Sequence, residues 1–208
     1  MHPTSHTSDT FKFHLRKLVK LGYVVKLEKG EYQLTALGKE YANNLNEKQR
    51  AVEKQPKLSI LMIVARQNGE GETTYLLQRR QRNPFYSYWS EIHGRAEWGE
   101  SFEATAQRQL KRQTGLDAKF EVHSFRRVRD YDANEESLLE DKLFVVLKAT
   151  EISGDLTNDY DGGTNSWLTL AEIRQQDKVF ATTLAIIENL VNGEFFTSQD
   201  LTYNLEDY

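Results

Sequence analysis

Apolar positions in the first fifty residues recur with a helical period. Phe11, Leu15, Leu18 and Val19 stand at i, i+4, i+7 and i+8, which predicts a helix over about residues 10–20 with those side chains on one face. Lys12, Arg16, Lys17 and Lys20 fall largely elsewhere on it. Ser8 or Asp9 can cap its start and Gly22 closes it. Residues 23–27 and 31–34 flank Lys29 and Gly30, the pattern of two short strands around a tight turn. Thr35 then caps a second helix running through Leu37, Tyr41 and Leu45.

From residue 58 the pattern becomes strand-like. Residues 58–65, LSILMIVA, read as a buried strand, and residues 73–78, TTYLLQ, as its hairpin partner across the turn-rich NGEGE stretch. A third strand runs through Ile92 to a turn at Gly94. Further strands are expected at about 120–129, 142–150 and 166–168, followed by a helix over 180–191 with Phe180, Leu184, Ile187 and Val191 inside. The acidic tail after Gly193 adds no pattern. The polar stretch 46–57, with Pro56, separates the two regimes, giving a module at 1–50, a linker at 51–57 and a larger domain at 58–208.

Charge sharpens that division. Residues 1–57 carry 11 Lys and Arg against 6 Asp and Glu, a net +5, whereas residues 58–208 carry 16 against 25, a net −9. The absence of cysteine excludes disulfides, thiolate metal sites and a cysteine nucleophile, and fits a reducing cytoplasm. The longest apolar run, residues 60–65, is far shorter than the ~20 residues that span a bilayer, so no membrane partner is expected. His2, His6 and His14 lack a metal-binding spacing.

The helix, hairpin and helix of the small module, with the phrases FKFHLRKLVKLGYV and YQLTALGKEYA, resemble the second half of a winged helix-turn-helix domain. The resemblance implies that Lys12, Arg16, Lys17 and Lys20 would contact DNA in the major groove and that the wing near Lys29 would touch phosphate. About eight residues precede the basic helix, so the module is expected to be partial. A solvated face on a dimerisation or packing module is the alternative reading, and a homodimer is a possible assembly.

Residues 94–116, GRAEWGESFEATAQRQLKRQTGL, resemble the Nudix box, G-x5-E-x7-R-E-U-x-E-E-x-G-U with U aliphatic. Gly94, Glu100, Arg108, Leu110, Gly115 and Leu116 fall in register. The three core glutamates are replaced by Gln109, Arg112 and Gln113. The resemblance extends to YLLQRRQRNPFYSYWSEIHGRAEWGES before the box and to SWLTLAEI at 166–173, covering about residues 58–195. It implies an α+β Nudix-like fold, a mixed sheet packed between helices. It also implies a structural frame in which Gly94 turns the backbone, Glu100 sits at the helix start, Arg108 reaches back to the loop and Gly115 ends the helix.

In the family, carboxylates at the positions of Gln109, Arg112 and Gln113 share one helix face and hold Mg²⁺, which bridges a diphosphate and activates water. Here the formal charge of that face changes from −3 to +1, which repels a divalent cation. Arg112, flanked by Gln109 and Gln113, can instead bind diphosphate oxygens directly. Arg127 and Arg129, on one face of the 120–129 strand with Arg126 on the other, are candidates for phosphate contact or for pairing with the acidic stretch 130–141. Trp89, with Phe85 and Tyr86, is a candidate stacking platform. His93 stands where the family has a glycine.

Two functions follow, and a third stays open. The first is a catalytically silent Nudix-like sensor of a nucleoside-diphosphate-linked metabolite, in a transcriptional regulator for which no cofactor is assigned. The second is a divergent Mg²⁺-dependent pyrophosphohydrolase in which Glu100 is catalytic and Glu97, Glu100 and Glu103 supply the metal site. The third is a protein-interaction scaffold.

Overall fold

The structure is a computed structural model that describes residues 8–28, 30–46, 51–188, 190 and 193–206. His2, His6, Lys29 and Val191 lie outside the described residues. The chain divides into two compact units, Met1–Gln55 and Pro56–Tyr208. Among the described residues no helix is long and apolar enough to cross a membrane.

In the first unit, α1 (Ser8–Lys20) ends where the Gly22 and Tyr23 amides donate to the carbonyls of Val19 and Leu18, both at 3.0 Å. Strands β1 (Val24–Lys26) and β2 (Tyr32–Leu34) form an antiparallel hairpin. Thr35 accepts the Gly38 amide at 3.0 Å, starting α2 (Ala36–Asn43). The result is a helix, a two-stranded wing and a helix. One expectation is corrected. Leu45 leaves the helix for β3 (Leu45–Asn46), which pairs with β4 (Ala51–Val52), because Asn44 terminates α2 by bonding Nδ2 to the Glu40 carbonyl. Phe11, Leu18 and Val19, on one face of α1, are 43%, 40% and 38% exposed.

The second unit is built on one mixed sheet. Its elements are β5 (Lys57–Ile63), β6 (Ala65–Gln67), β7 (Thr73–Arg80), β8 (Trp89–Arg95), α3 (Phe102–Thr114), β9 (Asp117–Asp132), β10 (Leu138–Ser153), β11 (Asp159–Tyr160), β12 (Gly163–Thr169), α4 (Leu170–Arg174), α5 (Ala181–Glu188) and β13 (Phe196–Tyr203). The sheet order is β11-β12-β7-β8-β5-β10-β9-β13, with β6 also on β7. Strand β5 runs through its middle, parallel to β10 and antiparallel to β8, which is why residues 60–63 are apolar without alternation. The expected hairpin of 58–65 with 73–78 forms only at its turn end, where Ala65 pairs with Tyr75 and the Leu76 amide donates to Val64 O at 2.9 Å; the rest is corrected, since β7 pairs with β6, β8 and β12 while β5 takes other neighbours.

Helices cover both faces. Ile60, Met62, Ile92, Val145 and Leu147 pack against Ala106 and Leu110 of α3, whereas Leu61, Ile63 and Val146 pack against Ile186 of α5. Helix α4 starts in a capping box between Thr169 and Glu172 and buries Ile173 beside Leu77 and Ile187.

One bulge decides which side chains face which helix. Val122 pairs with Leu147 and Ser124 with Val146, leaving His123 as the extra residue of β9. Phe120 and Val122 therefore pack on the α3 side, while Ser124, Arg126, Val128 and Asp130 turn to the α5 side. The sheet continues past the segment 120–129 at both ends, so Asp130, Asp132, Glu140 and Asp141, expected in an acidic turn, lie on strands. Asp130 and Asp132 are buried, at 0% and 2% exposed. The tail after Gly193 supplies β13, parallel to β9.

Candidate functional site

The 94–116 segment folds as a strand end, a loop and α3. Ser101 caps the helix by accepting the Ala104 amide at 3.2 Å, and Gly115 closes it at φ 75°, bonding back to Lys111 O. A β-carbon on Gly115 would stand 2.9 Å from Asp155 O and Thr157 Oγ1, so that position needs glycine twice over. Arg108 Nε and Nη2 clamp Glu100 at 2.8 and 2.7 Å, Thr105 Oγ1 donates to the same carboxylate at 2.7 Å, and Glu97 lies 3.3 Å from Arg108. The Arg108 hydrogen bonds, followed by that of Thr105, hold the Glu100 pKa down at about 2. Glu100 is thus a latch between loop and helix, with its oxygens committed.

Gly94 makes the next contact. A β-carbon there would fall 2.5 Å from Gln109 Cγ, so glycine lets α3 lie against β8. Gln113 Nε2 donates to His93 O at 2.8 Å and to Gln109 Oε1 at 3.1 Å, and Arg112 Nη2 donates to the same oxygen at 2.7 Å. Behind them Asn165 Nδ2 donates to Gln113 O at 2.8 Å while Gln78 Nε2 donates to Asn165 Oδ1 at 3.0 Å. Gln78, Gln109, Gln113 and Asn165 are all buried. Of the three replaced positions the glutamines turn inward and only Arg112 is exposed.

These donors do not fit a divalent cation. A glutamate at 113 would set two acceptors against each other at His93 O, an arrangement that a cation between them would hold. The Gln113 amide closes that gap with its own proton. Glu97 and Glu103 stand near the helix start, Glu97 exposed beside Arg108, and among the described residues no three carboxylate or imidazole side chains converge.

The other expected contacts are dispersed. Arg127 is bidentate to Asp141 at 3.0 and 2.6 Å, and Arg129 to Asp200 at 2.8 and 3.0 Å. Trp89 packs with Val179 and Leu184 in the cluster around Ile173. Lys12, Arg16, Lys17 and Lys20 are exposed along α1.

A cavity of about 330 Å³ opens on the α5 side of the sheet, at the lower end of the range typical of small-molecule sites. Leu61, Phe144 and Val128 give it an apolar floor, and Phe85, Phe180 and Tyr203 an aromatic wall. Phe85 stacks edge-on with Phe180 at 5.0 Å and Tyr203 at 4.8 Å while holding φ at 62°. A left-handed backbone at a bulky residue is strained and persists because this packing imposes it.

The polar lining is mixed in sign. Arg80 donates from Nε to Pro84 O at 3.1 Å, and its Nη1 lies 3.4 Å from His93 Nε2. That contact makes Nε2 the acceptor, so Nδ1 carries the proton toward Glu91 O at 3.3 Å. Burial, and then the Arg80 charge, push the His93 pKa down, and with Nε2 facing Arg80 the ring is a wall residue rather than a free base. Lys57 pairs with Glu140 and Lys142 with Asp130. Glu91, 3% exposed, takes the Thr183 hydroxyl on Oε2 at 2.7 Å.

Of the sequence candidates only Phe85, His93 and Gly94 line this cavity. Arg80, Glu91, Lys142, Phe180 and Tyr203 went unrecognised as a site, although Glu91 and His93, two apart on an otherwise apolar strand, carried a period-two signal of a shared polar face.

Comparison with known proteins agrees with this architecture. The mutator MutT protein from Bacillus halodurans superposes with a TM-score of 0.57 at 19% identity, covering 73% of this chain and 93% of that one. The NUDIX domain of Shewanella oneidensis NrtR, solved in complex with ADP ribose, gives 0.54 at 21% identity, covering 74% and 96%. A MutT NUDIX hydrolase from Burkholderia pseudomallei gives 0.52 at 21% identity, covering 65% and 98%. No curated protein matches the sequence. The family model described as the NUDIX domain matches residues 56–190, and the chain belongs to that family.

Proposed function

We propose that the second unit binds a nucleoside-diphosphate-linked molecule in the α5-side cavity and leaves its pyrophosphate bond intact. The observation that carries this reading is the Gln113 amide on the His93 carbonyl, which supplies by hydrogen bonding what a metal between two acceptors would supply in a hydrolase. The cavity has what such a ligand needs: aromatic and aliphatic walls for a base and ribose, and Arg80 with Lys57 and Lys142 for phosphate oxygens. ADP-ribose, the molecule bound to the Shewanella NUDIX domain, is the first ligand to test.

The test is a calorimetric titration of the full chain with ADP-ribose, NAD and nucleoside triphosphates, in Mg²⁺ and in EDTA. Binding of equal strength in both supports the reading. Binding that requires Mg²⁺ supports the divergent hydrolase, and no binding of any of them supports a scaffold.

For the first unit we propose contact with nucleic acid phosphates through Lys12, Arg16, Lys17 and Lys20, in keeping with a partial winged-helix module of a regulator. Lys12, Arg16 and Lys20 follow one another at i, i+4 and i+8 along α1, all exposed. Anisotropy of a labelled duplex should show affinity falling steeply with salt, and Lys12→Ala with Arg16→Ala should flatten that slope; a slope unchanged by the pair would remove α1 from the interface.

A further inference from the structure

We propose that Glu91 reads the ligand's base, its Oε1 accepting a hydrogen bond from a ring or amino N–H, so that the cavity selects a nucleobase presenting such a donor. The inference rests on the cavity being the ligand site.

Glu91 lines the cavity on the same face of β8 as His93, and its Cα partner across β7 is Leu77, a core residue. A carboxylate therefore occupies a position whose neighbours are apolar. One oxygen is satisfied by Thr183, while Oε1 is buried with no partner in the protein. Leaving a buried acceptor unsatisfied is costly, and a charged one more so, so a ligand that donates there gains what the empty protein lacks. Burial raises the Glu91 pKa, whereas the charge of Arg126 acts to lower it.

Arg126 lies near Glu91 but is not among the residues that line the cavity. It is 7% exposed, turned to this face by the β9 bulge, and its Nε is likewise buried without a partner. The two groups lie within electrostatic reach but form no ion pair. A direct pair would have satisfied both. Held apart, they leave Oε1 unmatched, and the Arg126 charge offsets only part of the burial that raises the Glu91 pKa. An ionised carboxylate repels a lone pair and takes an N–H, which is discrimination by bond type rather than by size. Lactam and amino edges qualify; an edge of acceptors alone does not.

The experiment compares matched ligands on two proteins. ADP is titrated against purine riboside 5′-diphosphate, which lacks the 6-amino group, and UDP against its N3-methyl form, on the wild-type chain and on Glu91→Met. For the base that binds, removal of the donor should weaken wild-type binding on the order of 10- to 100-fold, the value of a hydrogen bond to a charged group, and should leave Glu91→Met unchanged. If Glu91→Met does not fold, Glu91→Gln, a neutral acceptor of the same shape, must shrink that ratio. An equal ratio in wild type and variant, or a wild-type protein blind to the donor, overturns the role of Glu91 while leaving the cavity as the ligand site. Failure of every nucleotide to bind the wild type overturns both.

Discussion

Against α3, the buried side-chain amides of the second unit bond to one another: Gln78 to Asn165, Asn165 to the Gln113 carbonyl, Gln113 to Gln109 and His93. Against α5, Glu91 Oε1, Arg126 Nε, Ser124 Oγ and Asp130 Oδ1 are buried with no partner in the protein. The same sheet thus carries a connected amide network on one face, beside an unpartnered Trp167 Nε1, and unmatched charged groups on the other. Polar groups that satisfy each other specify packing, and of the four unmatched groups on the α5 side only Glu91 lines the cavity. On the proposed reading, the helix that bears the family motif is structural and the opposite face holds the ligand.

Breaking the cavity should have the largest effect. Arg80→Ala should weaken ADP-ribose binding on the order of 100-fold by calorimetry, because Arg80 is a half-buried cavity cation that no carboxylate holds in an ion pair among the described residues, whereas Lys57 and Lys142 are paired. Arg112→Ala, Arg127→Ala and Arg129→Ala should each change it by less than about 2-fold, as expected for groups outside the cavity and already bonded. A larger loss from Arg112→Ala would return the ligand to the α3 side.

Reopening the closed face comes next. Gln113→Glu replaces the donor facing His93 O by an acceptor and should destabilise the fold by about 1–3 kcal/mol in chemical denaturation. Mg²⁺ should restore part of that loss in the variant and have no effect on the wild type. Equal stability of variant and wild type in EDTA would show that the amide bond is dispensable.

The unmatched face should respond in the other direction. Glu91→Gln removes a buried acid whose pKa is raised by desolvation, so the variant should melt roughly 2–4 °C higher at pH 7, what about 1 kcal/mol is worth in a chain of this size. The sign reverses with acid: a raised pKa favours the folded state below the unfolded value of 4.5 and disfavours it as pH rises through the folded value. The advantage of Glu91→Gln should therefore disappear near pH 4. Glu100 behaves oppositely and more weakly, being on the surface. With its pKa held at about 2, its contribution is present above 4.5 and lost as pH falls toward 2, so the melting curves of Glu100→Gln and wild type should converge over that interval.

Much of this was legible in the chain. The glycine, glutamate and arginine spacing of residues 94–116 placed the loop and α3 because local backbone geometry and a single helix-to-loop ion pair are short-range properties. The cavity was not legible in the same way. It draws Lys57, Arg80, Glu91, Lys142 and Tyr203 from five strands, and their convergence depends on a sheet order in which β5 takes β8 and β10 as neighbours. The facing of Arg126 depends on one bulge at residue 123, where a strict alternation continued from Phe120 would have turned it inward toward α3. The inward turn of Gln109 and Gln113 was not legible either, since Gln113 is held by a backbone carbonyl of another element and in turn holds Gln109.

The most direct measurement is turnover. ADP-ribose incubated with the full chain in Mg²⁺, and separately in Mn²⁺, is separated by chromatography from AMP and ribose 5-phosphate. The closed α3 face predicts that the ligand is recovered intact under both conditions while remaining bound in a parallel calorimetric titration. Metal-dependent release of AMP that disappears in Glu100→Gln would contradict it, and would place a working metal site on the face that the glutamine network fills.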